Sequence, residues 1–390
     1  MIITDIEILG IGGIKSLKIP LHNRMNIVCG PNGIGKTTML ECVAHLLSHG
    51  NSQILKRHVD SNRGSVAANF KLDSGEQKRV EITVNGFEPN QLNQIDGHYS
   101  LSKFILSLKT TRTFSYTAPP SVSRDTEKPE HVMYTEAQAG ISLNDTKNWF
   151  VNRYLYSAHK GALSLAQMAN FELAKKCFSQ LNPEFSFLRV NAATNEIMVK
   201  TPTGELYYEY LSSGFKSCLS IMFGIMKEIE YRFPNTEVAT FEAIVLVDEI
   251  ELHLHPEWQS RITAVLLNIF PSLQFITTTH SPHIVQNANP SSIIALERKD
   301  NEVVKRDLPE SRYGFKGWTV EEVLEDVMAM SDTRTELFTS RMKQFGDAID
   351  NENSELAKSI YAELNELLHP ASVMRKIIRL QLAGIGVKLD

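Results

Sequence analysis

A glycine loop constrains the fold of this chain more than any other stretch. It fits the pattern G-x-x-x-x-G-K-[ST] and reads Gly30-Pro31-Asn32-Gly33-Ile34-Gly35-Lys36-Thr37-Thr38. Residues 25–29 before it are apolar, as in a buried strand, and residues 39–47 after it place apolar side chains at helical spacing. A loop of this kind between a strand and a helix predicts a phosphate-binding turn.

The loop predicts a nucleoside triphosphate site with Mg²⁺. Its glycines allow a tight turn whose backbone N–H groups point at an anion, and the helix N-terminus adds partial positive charge. Lys36 can reach the β- and γ-phosphates, and the Thr37 hydroxyl can hold Mg²⁺.

Composition indicates a globular protein. The 390 residues are 42% apolar and 22% charged, with a net charge of −5 that gives no global attraction to nucleic acid. No apolar run reaches the roughly 18 residues of a membrane span, and the first residues lack the basic region of a signal peptide. The cysteines lie far apart, as buried thiols in a reducing compartment would. We therefore expect a cytoplasmic protein without a membrane partner.

Apolar runs predict an α/β fold with a mostly parallel central sheet. The fully apolar strand at residues 243–247 is typical of a sheet covered on both faces, and further strands of this kind are predicted at 25–29, 274–278 and 291–296. Two alternating runs at 65–72 and 78–85 predict a hairpin in an N-terminal β-lobe.

We divide the chain into an ATPase domain at residues 1–298, with a partly helical insert lobe at about 52–205, and a helical C-terminal region at 299–390. Pro and Ser residues predict a loop at 117–130. In the C-terminal region charge rises and Gly content falls, which favours helices near 319–330, 333–349, 353–368 and 371–384.

Polar residues follow two of the predicted parallel strands. Asp248 and Glu249 come directly after the apolar strand at 243–247, at the sheet edge where α/β folds bind ligands. Asp248 can order Mg²⁺, and Glu249 can act as the general base that activates water. His280 follows the strand at 274–278 and can sense the γ-phosphate or the attacking water.

A second candidate anion site lies earlier in the chain. The heptapeptide LSSGFKS at 211–217 places Ser212, Ser213 and Gly214 at the start of a predicted helix. In isolation this heptapeptide would be interpreted as a simple helix N-cap. Its position in the chain, between the glycine loop and the acidic strand, instead favours a contact with nucleotide.

Taken in chain order, these motifs resemble ABC-type ATPase heads. The strings DEIELHLHPEWQ at 248–259 and FITTTHSPHIV at 275–285 resemble the ATPase half of the OLD family and its relatives, many of which serve in bacterial anti-phage defence. The resemblance covers residues 1 to about 298.

The resemblance implies a head-to-head homodimer that encloses ATP and Mg²⁺. Each nucleotide would be held by the glycine loop (Gly30 to Thr38) of one chain and by Ser212, Ser213 and Gly214 of the other. It also implies that Asp248 supports the metal with Thr37, that Glu249 is the base, and that His280 and Lys36 take part in catalysis.

Three departures from the family pattern matter. Phe215 stands where ABC heads usually carry Gln or Glu. ABC heads also have a glutamine that senses Mg²⁺, and Gln91, Gln94 and Gln138 are weak candidates for it here. The C-terminal region lacks the metal-binding nuclease domain of OLD proteins. Relatives without it, such as the ATPase subunit of Septu-type defence systems, work with a separate nuclease chain.

We therefore expect an anti-phage switch ATPase with a separate effector, such as an HNH-type nuclease, and nucleic acid contacts through that partner or the assembly. Apolar residues on the helix at 353–368 (Leu356, Ile360, Leu364, Leu367) could dock it, or pack on the other helices. The alternative is a RecF-like repair ATPase that clamps DNA through basic residues of the insert: Lys56, Arg57, Arg63, Lys103, Lys109, Arg112 and Arg124.

Overall fold

The computed structural model describes residues 1–112, 122–123, 125–309, 311–330 and 334–387. These residues divide into two compact units, Met1–Ala329 and Met330–Asp390. The boundary that the sequence suggested at residue 298 falls inside a strand of the first unit. Part of the loop expected at 117–130 lies outside the described residues.

The strands belong to the first unit and follow the chain in this order: β1 (Ile2–Ile11), β2 (Ile14–Pro20), β3 (Met25–Cys29), β4 (His49–Ser52), β5 (Gly64–Lys71), β6 (Gln77–Val84), β7 (Asn93–Asp96), β8 (Ile105–Leu108), β9 (Ser186–Asn191), β10 (Glu196–Thr201), β11 (Gly204–Tyr207), β12 (Ile244–Val247), β13 (Gln274–Thr278), β14 (Ile293–Lys299) and β15 (Glu302–Lys305).

The helices are α1 (Lys36–Leu46), α2 (Glu130–Ala139), α3 (Thr146–Ser157), α4 (Leu165–Leu181), α5 (Ser213–Arg232), α6 (Pro256–Gln259), α7 (Ile262–Ile269), α8 (Pro282–Asn287), α9 (Val320–Glu322), α10 (Glu336–Asp350), α11 (Ser354–Leu367) and α12 (Val373–Gly384). A π-helical turn at Val323–Val327 continues α9. None of the described helices has the length and apolarity to cross a membrane.

The central sheet has the strand order β15-β14-β3-β13-β12-β8 within the described residues. Neighbouring strands are parallel from β14 to β8, and only the edge strand β15 runs antiparallel. The predicted fold class, α/β with a mostly parallel central sheet, is confirmed. Parallel pairing brings the carboxyl ends of β3, β12 and β13 to one edge, so residues that follow these strands become neighbours.

Alternate residues of the sheet strands enter two different cores because successive side chains of a strand point to opposite faces. On one face, Val245 and Val247 pack with α3, α4, α5 and α7. On the other, Ile244 and Leu246 pack with α1 and with a second, antiparallel sheet of order β2-β1-β5-β6. This antiparallel sheet is the β-lobe predicted from the sequence.

A buried glutamine joins the β-lobe to the central sheet. Gln274, at the start of β13, is fully buried, and its Oε1 accepts a 2.7 Å hydrogen bond from the N–H of Ile3 in β1. Its Nε2 donates to the carbonyls of Ile3 and His22 at 2.7 and 2.9 Å. Because both functional atoms of the amide are used, the side chain fixes the position of β1 on the sheet.

The second unit contains, among its described residues, α10, α11 and α12. The side chains of Thr335, Asn353 and Ser372 accept hydrogen bonds from the first turns of these helices, which explains where each helix begins. Ile360 and Leu364 pack into the unit's own core, whereas Leu356 and Leu367 are 49% and 46% exposed. The apolar face of α11 is thus divided between internal packing and surface.

All four cysteines are free and buried, as expected. Burial raises the pKa of each thiol above its ordinary value, to about 12 for Cys29 and Cys218. At neutral pH these side chains are therefore neutral and unreactive.

Replacement of Gln274 by Ala should destabilise the first unit. The backbone groups of Ile3 would lose their partners, and a buried polar group without a partner costs about 1–3 kcal/mol. We expect the free energy of unfolding to fall by about 2 kcal/mol or more. Urea unfolding followed by tryptophan fluorescence measures this, because all three tryptophans belong to the first unit. The matched control is Gln77→Ala at an exposed position. Equal unfolding midpoints for the two variants would contradict the assigned role of Gln274.

Candidate functional site

The glycine loop joins β3 to α1 and can be formed only with glycine at its first position. Gly30 has φ +142°, and a Cβ there would lie 2.4 Å from the carbonyl oxygen of Leu296 in β14. The neighbouring strand therefore packs directly against the start of the loop. Asn32, Gly33 and Thr37 are exposed, so the loop is open to a ligand.

Lys36 is held inside the loop. Its Nζ donates hydrogen bonds to the carbonyls of Gly30 and Pro31 at 2.8 and 2.9 Å, and the residue is 5% exposed. Burial lowers the pKa of Lys36, while nearby groups, including the carboxylates of Glu251, Glu249 and Asp248, oppose this shift. These carboxylates are therefore close enough to act on the same ammonium group that the loop would offer to phosphate oxygens.

Asp248, which the sequence suggested for metal support, lies beside the glycine loop. Its buried carboxylate accepts a hydrogen bond of 3.1 Å from the Thr37 hydroxyl, through Oδ1. The Thr278 hydroxyl at the end of β13 donates to the same oxygen at 2.6 Å. A hydroxyl and a carboxylate are the hard oxygen ligands that Mg²⁺ prefers together with nucleotide phosphates, so the residues fit this ion.

Glu249 follows with a left-handed backbone, at φ +47°. Two contacts hold this uncommon conformation: the Glu249 N–H donates to the Thr278 hydroxyl at 2.7 Å, and its carbonyl accepts from Arg112 at 2.5 Å. The residue is half-buried. Strain that is held by several contacts in this way is characteristic of functional positions.

Arg112 is a site residue that sequence reasoning placed wrongly. The sequence suggested it for an exposed basic groove, but it is only 7% exposed and follows β8 in the site. Its guanidinium donates to the carbonyls of Asp248 at 2.7 Å, Glu249 at 2.5 Å and Lys109 at 3.0 Å. Its role depends on the pairing of β8 with β12, a long-range contact that no local pattern marks.

His280 is exposed at the end of β13, and Glu251 fixes its backbone. The carboxylate of Glu251 accepts from the Thr279 hydroxyl at 2.7 Å and from the His280 N–H at 2.5 Å. Glu251 and Thr278 were missed as site residues, although both stand in the strings that carried the family resemblance. Residues 248–251 and 278–280 thus form one hydrogen-bonded network.

The heptapeptide at 211–217, which we call the signature, lies apart from this network. Ser212 and Ser213 are exposed, and the Ser212 side chain caps α5 by accepting from the Phe215 N–H at 3.3 Å. Phe215, the departure from the ABC pattern, is buried between the rings of Phe185 and Trp258. Among the described residues, no hydrogen bond joins Ser212–Gly214 to the glycine loop.

The other basic residues of the insert are mostly engaged within the protein. Lys109 pairs with Glu41 at 2.6 Å, and Lys56 donates to the carbonyls of Glu88 and Gln91. Arg57 and Arg63 bind Ser61 and Thr83, and Lys103 lies over Phe104. Arg124 lies outside the described residues. Hydrogen bonds to carbonyl and hydroxyl oxygens leave a cation charged, so within the described part of the chain a carboxylate compensates Lys109 alone of these residues.

The glutamine candidates for a Mg²⁺ contact are engaged elsewhere in two cases. Gln138 donates to the Ser48 hydroxyl at 2.8 Å, and Gln91 accepts from the Phe87 N–H at 2.9 Å. Gln94 lies in β7, a strand of the β4-β7 pair outside the central sheet. None of these contacts involves Thr37 or Asp248.

Two sequence models of protein families match the first unit. The family described as "AAA domain" matches residues 5–176. The family described as "AAA domain, putative AbiEii toxin, Type IV TA system" matches residues 145–286. Together the two matched ranges include the glycine loop, the signature and the acidic strand end.

Several known proteins are similar over longer stretches. Septu protein PtuA of Bacillus thuringiensis is 40% identical over 391 residues, which cover 99% of this chain and 99% of that protein. Septu protein PtuA of Bacillus mycoides (strain KBAB4) is 27% identical, and the match covers 83% of this chain but 44% of that protein. "Retron Ec83 probable ATPase" of Escherichia coli is 28% identical over 48% of this chain and 34% of its own length.

A solved structure of an SmcHead bound to the C-winged helix domain of ScpA has a TM-score of 0.48 and 16% sequence identity, covering 80% of this chain and 99% of that one.

The parallel sheet, the glycine loop and the acidic strand end define a nucleotide-binding P-loop ATPase. Within this class, the chain belongs to the Septu PtuA family, because it is 40% identical to a family member along its whole length. The resemblance to anti-phage defence ATPases that the motifs indicated is confirmed at the family level.

Replacement of Arg112 by Lys should slow ATP turnover more than it weakens ATP binding. Lysine keeps the charge but cannot form the planar fork that bridges two carbonyls. Small displacements of catalytic groups can cost about 100-fold in rate, so we expect kcat to fall by roughly 10- to 100-fold. Steady-state phosphate release and fluorescent-nucleotide titration measure the two effects. Arg63→Lys, at an exposed position, is the matched control. A kcat equal to that of this control would remove Arg112 from the site.

Proposed function

We propose that the chain is an ATP-binding and ATP-hydrolysing switch subunit of an anti-phage defence system. Two copies would pair head to head around ATP and control a separate effector. The observation that carries this proposal is the hydrogen-bonded group of Thr37, Asp248 and Thr278 beside the buried Lys36, with Glu249 next to it. These residues lie together at one sheet edge, which supports the roles that we propose for them in binding phosphate, holding the metal and activating water.

In this proposal, the N–H groups of the glycine loop and the Lys36 ammonium bind the phosphates of ATP. Thr37 and Asp248 hold Mg²⁺, which neutralises phosphate charge when bound. The loop carbonyls of Gly30 and Pro31 keep Lys36 in place before a ligand arrives. Little reorganisation is then required on binding.

Glu249 is proposed as the base that takes a proton from the attacking water. Thr278 and Arg112 fix the backbone of Glu249 through its N–H and its carbonyl, so the side chain starts from a fixed Cα position. His280, whose backbone Glu251 holds, is the proposed sensor of the γ-phosphate. Positioning and electrostatics of this kind supply most of the catalysis in phosphoryl transfer.

Dimerisation is proposed because the signature makes no hydrogen bond, among the described residues, to the glycine loop of its own chain. Ser212 and Ser213 are exposed at the N-terminus of the 20-residue helix α5. Gly214 packs closely on the turn at 253–258, since a Cβ there would lie 3.0 Å from Trp258. A second copy can bring these residues to the nucleotide, and the exposed Ser212 and Ser213 at the helix N-terminus would then contact phosphate.

Control of an effector is the part of the proposal that rests on the family. The chain matches a Septu protein along its full length. The resemblance to the ATPase subunit of Septu-type defence systems implies that this subunit works with a separate nuclease chain. An HNH-type nuclease is the proposed partner, and contact with nucleic acid in the defence reaction is assigned to that assembly.

The Glu249→Gln variant should bind ATP and accumulate as a dimer. Glutamine keeps the shape of the side chain but cannot accept a proton from water, so bound ATP is not hydrolysed and the dimer does not dissociate. We expect the hydrolysis rate to fall by at least roughly 100-fold, the scale of a lost general base. Light scattering after size exclusion with ATP and Mg²⁺ measures the dimer.

Lys36→Ala is the control for this experiment. It should remain monomeric with ATP, because it lacks the ammonium that holds the phosphates. Hydrolysis by Glu249→Gln at the wild-type rate would disprove the role of Glu249. A Glu249→Gln variant that binds ATP as a monomer would disprove the dimer.

Purification from the native host with ATP present should retain a second protein in a fixed ratio. Mass spectrometry identifies it, and we expect a nuclease. The Lys36→Ala variant serves as the matched bait, because it cannot reach the ATP-bound state. A bare dimer that retains double-stranded DNA instead would favour the repair-type clamp over the switch.

A further inference from the structure

A cleft of about 500 Å³ lies at the edge of the central sheet away from the glycine loop. It begins at Arg24 and Met25, where β3 starts, whereas the glycine loop follows the other end of that strand. Its walls are α7, the segment 287–292 before β14, and the segment 312–316 after β15. All of these belong to the first unit, and none takes part in the proposed ATP site.

The outer wall of the cleft is firmly anchored. Gly314 has φ +61°, and a Cβ there would lie 2.8 Å from the ring of Pro290, so glycine permits this close approach. Phe315 is fully buried and packs against Trp318, whose carbonyl accepts a 2.6 Å hydrogen bond from Gln286. The segment therefore presents its remaining residues from a fixed position.

Those remaining residues are cationic or aromatic. Arg312 and Lys316 are exposed, and Arg24 is half-buried on the inner wall. No acidic residue lines the cleft, and within the described part of the chain none of these three cations forms an ion pair with a carboxylate. Arg24 uses Nη2 to bind the Leu267 carbonyl at 2.7 Å. Its Nε is buried and has no hydrogen-bond partner among the described residues.

The cleft concentrates positive charge in a protein that is acidic overall. The chain has a net charge of −5, yet three cations and no carboxylate line this cleft. Clustered cations without acidic partners attract an anion because their charges are not compensated locally.

Tyr313 indicates which class of anion the cleft would bind. Its side chain is 72% exposed on the same segment, and the Arg312 guanidinium lies 5.9 Å from the centre of its ring. An exposed aromatic ring beside cations is the combination with which proteins bind single strands: bases stack on the ring while cations follow the phosphates. An acidic peptide would use the cations and would have no need of the ring.

We propose that this cleft is a binding site for single-stranded nucleic acid. Arg24, Arg312 and Lys316 contact successive phosphates, and Tyr313 stacks with a base. DNA and RNA share this chemistry, so the site is assigned to the class, and the experiment separates the two. The proposal is independent of ATP hydrolysis and of the proposed partner.

Fluorescence anisotropy with labelled DNA and RNA strands of mixed sequence, each about 20 nucleotides long to exceed the site size of a single domain, tests the site on the full chain. We expect the double variant Arg312→Glu/Lys316→Glu to bind at least about tenfold more weakly, with a salt-dependence slope lower by about 0.7 for each phosphate that is no longer neutralised. Tyr313→Ala should bind roughly fivefold more weakly or worse, with an unchanged slope, because stacking is not ionic. Binding of only one strand type identifies that type as the ligand.

The matched control is Arg298→Glu/Lys299→Glu, which makes the same charge change at exposed positions of β14 outside the cleft. ATP binding by every variant checks that the fold is intact. An equal reduction in this control, or no binding of either strand by the wild type, would overturn the proposal. Binding of polyglutamate in place of nucleic acid would assign the cleft to an acidic peptide and overturn it as well.

Discussion

The candidate site depends on one hydroxyl group between two parallel strands. Thr278 at the end of β13 donates to the Asp248 carboxylate and accepts from the Glu249 N–H, so it joins β12 to β13 at the point where the acidic pair leaves the sheet. The Asp248 carboxylate, proposed to support the metal, and the proposed base are thereby fixed relative to each other and to Thr37 in the glycine loop. Arg112 completes the arrangement from the β8 side.

Local patterns in the sequence predict the parts of the molecule that local forces determine. Strand β12 is predictable because a continuous apolar run marks a strand that is buried on both faces, and β3 and β13 are predictable because apolar and β-branched residues predominate in them. The glycine loop is predictable because its turn requires glycine at positions where a side chain would clash or strain the backbone. The placement of Asp248 beside Thr37 follows from the parallel topology.

Other features cannot be predicted in this way because they depend on distant contacts. Arg112 resembles a surface cation in the sequence, since nothing in its own neighbourhood shows that β8 lies next to β12. Helix α2 and strand β15 carry no strong apolar pattern, and packing on the rest of the unit determines them. Gln274 looks like a polar residue at the start of a strand, and its role emerges only when β1 lies beside it.

Buried thiols have a practical consequence for the study of this protein. Every native cysteine is inside the fold, and Cys29 stands next to the glycine loop with its pKa raised to about 12. Thiol reagents should therefore leave the native protein unmodified. A single cysteine introduced at an exposed position outside the proposed site, such as Ser74 in the turn between β5 and β6, would be the sole reactive group. Site-specific labels could then follow the association of two chains in real time without removal of any natural cysteine.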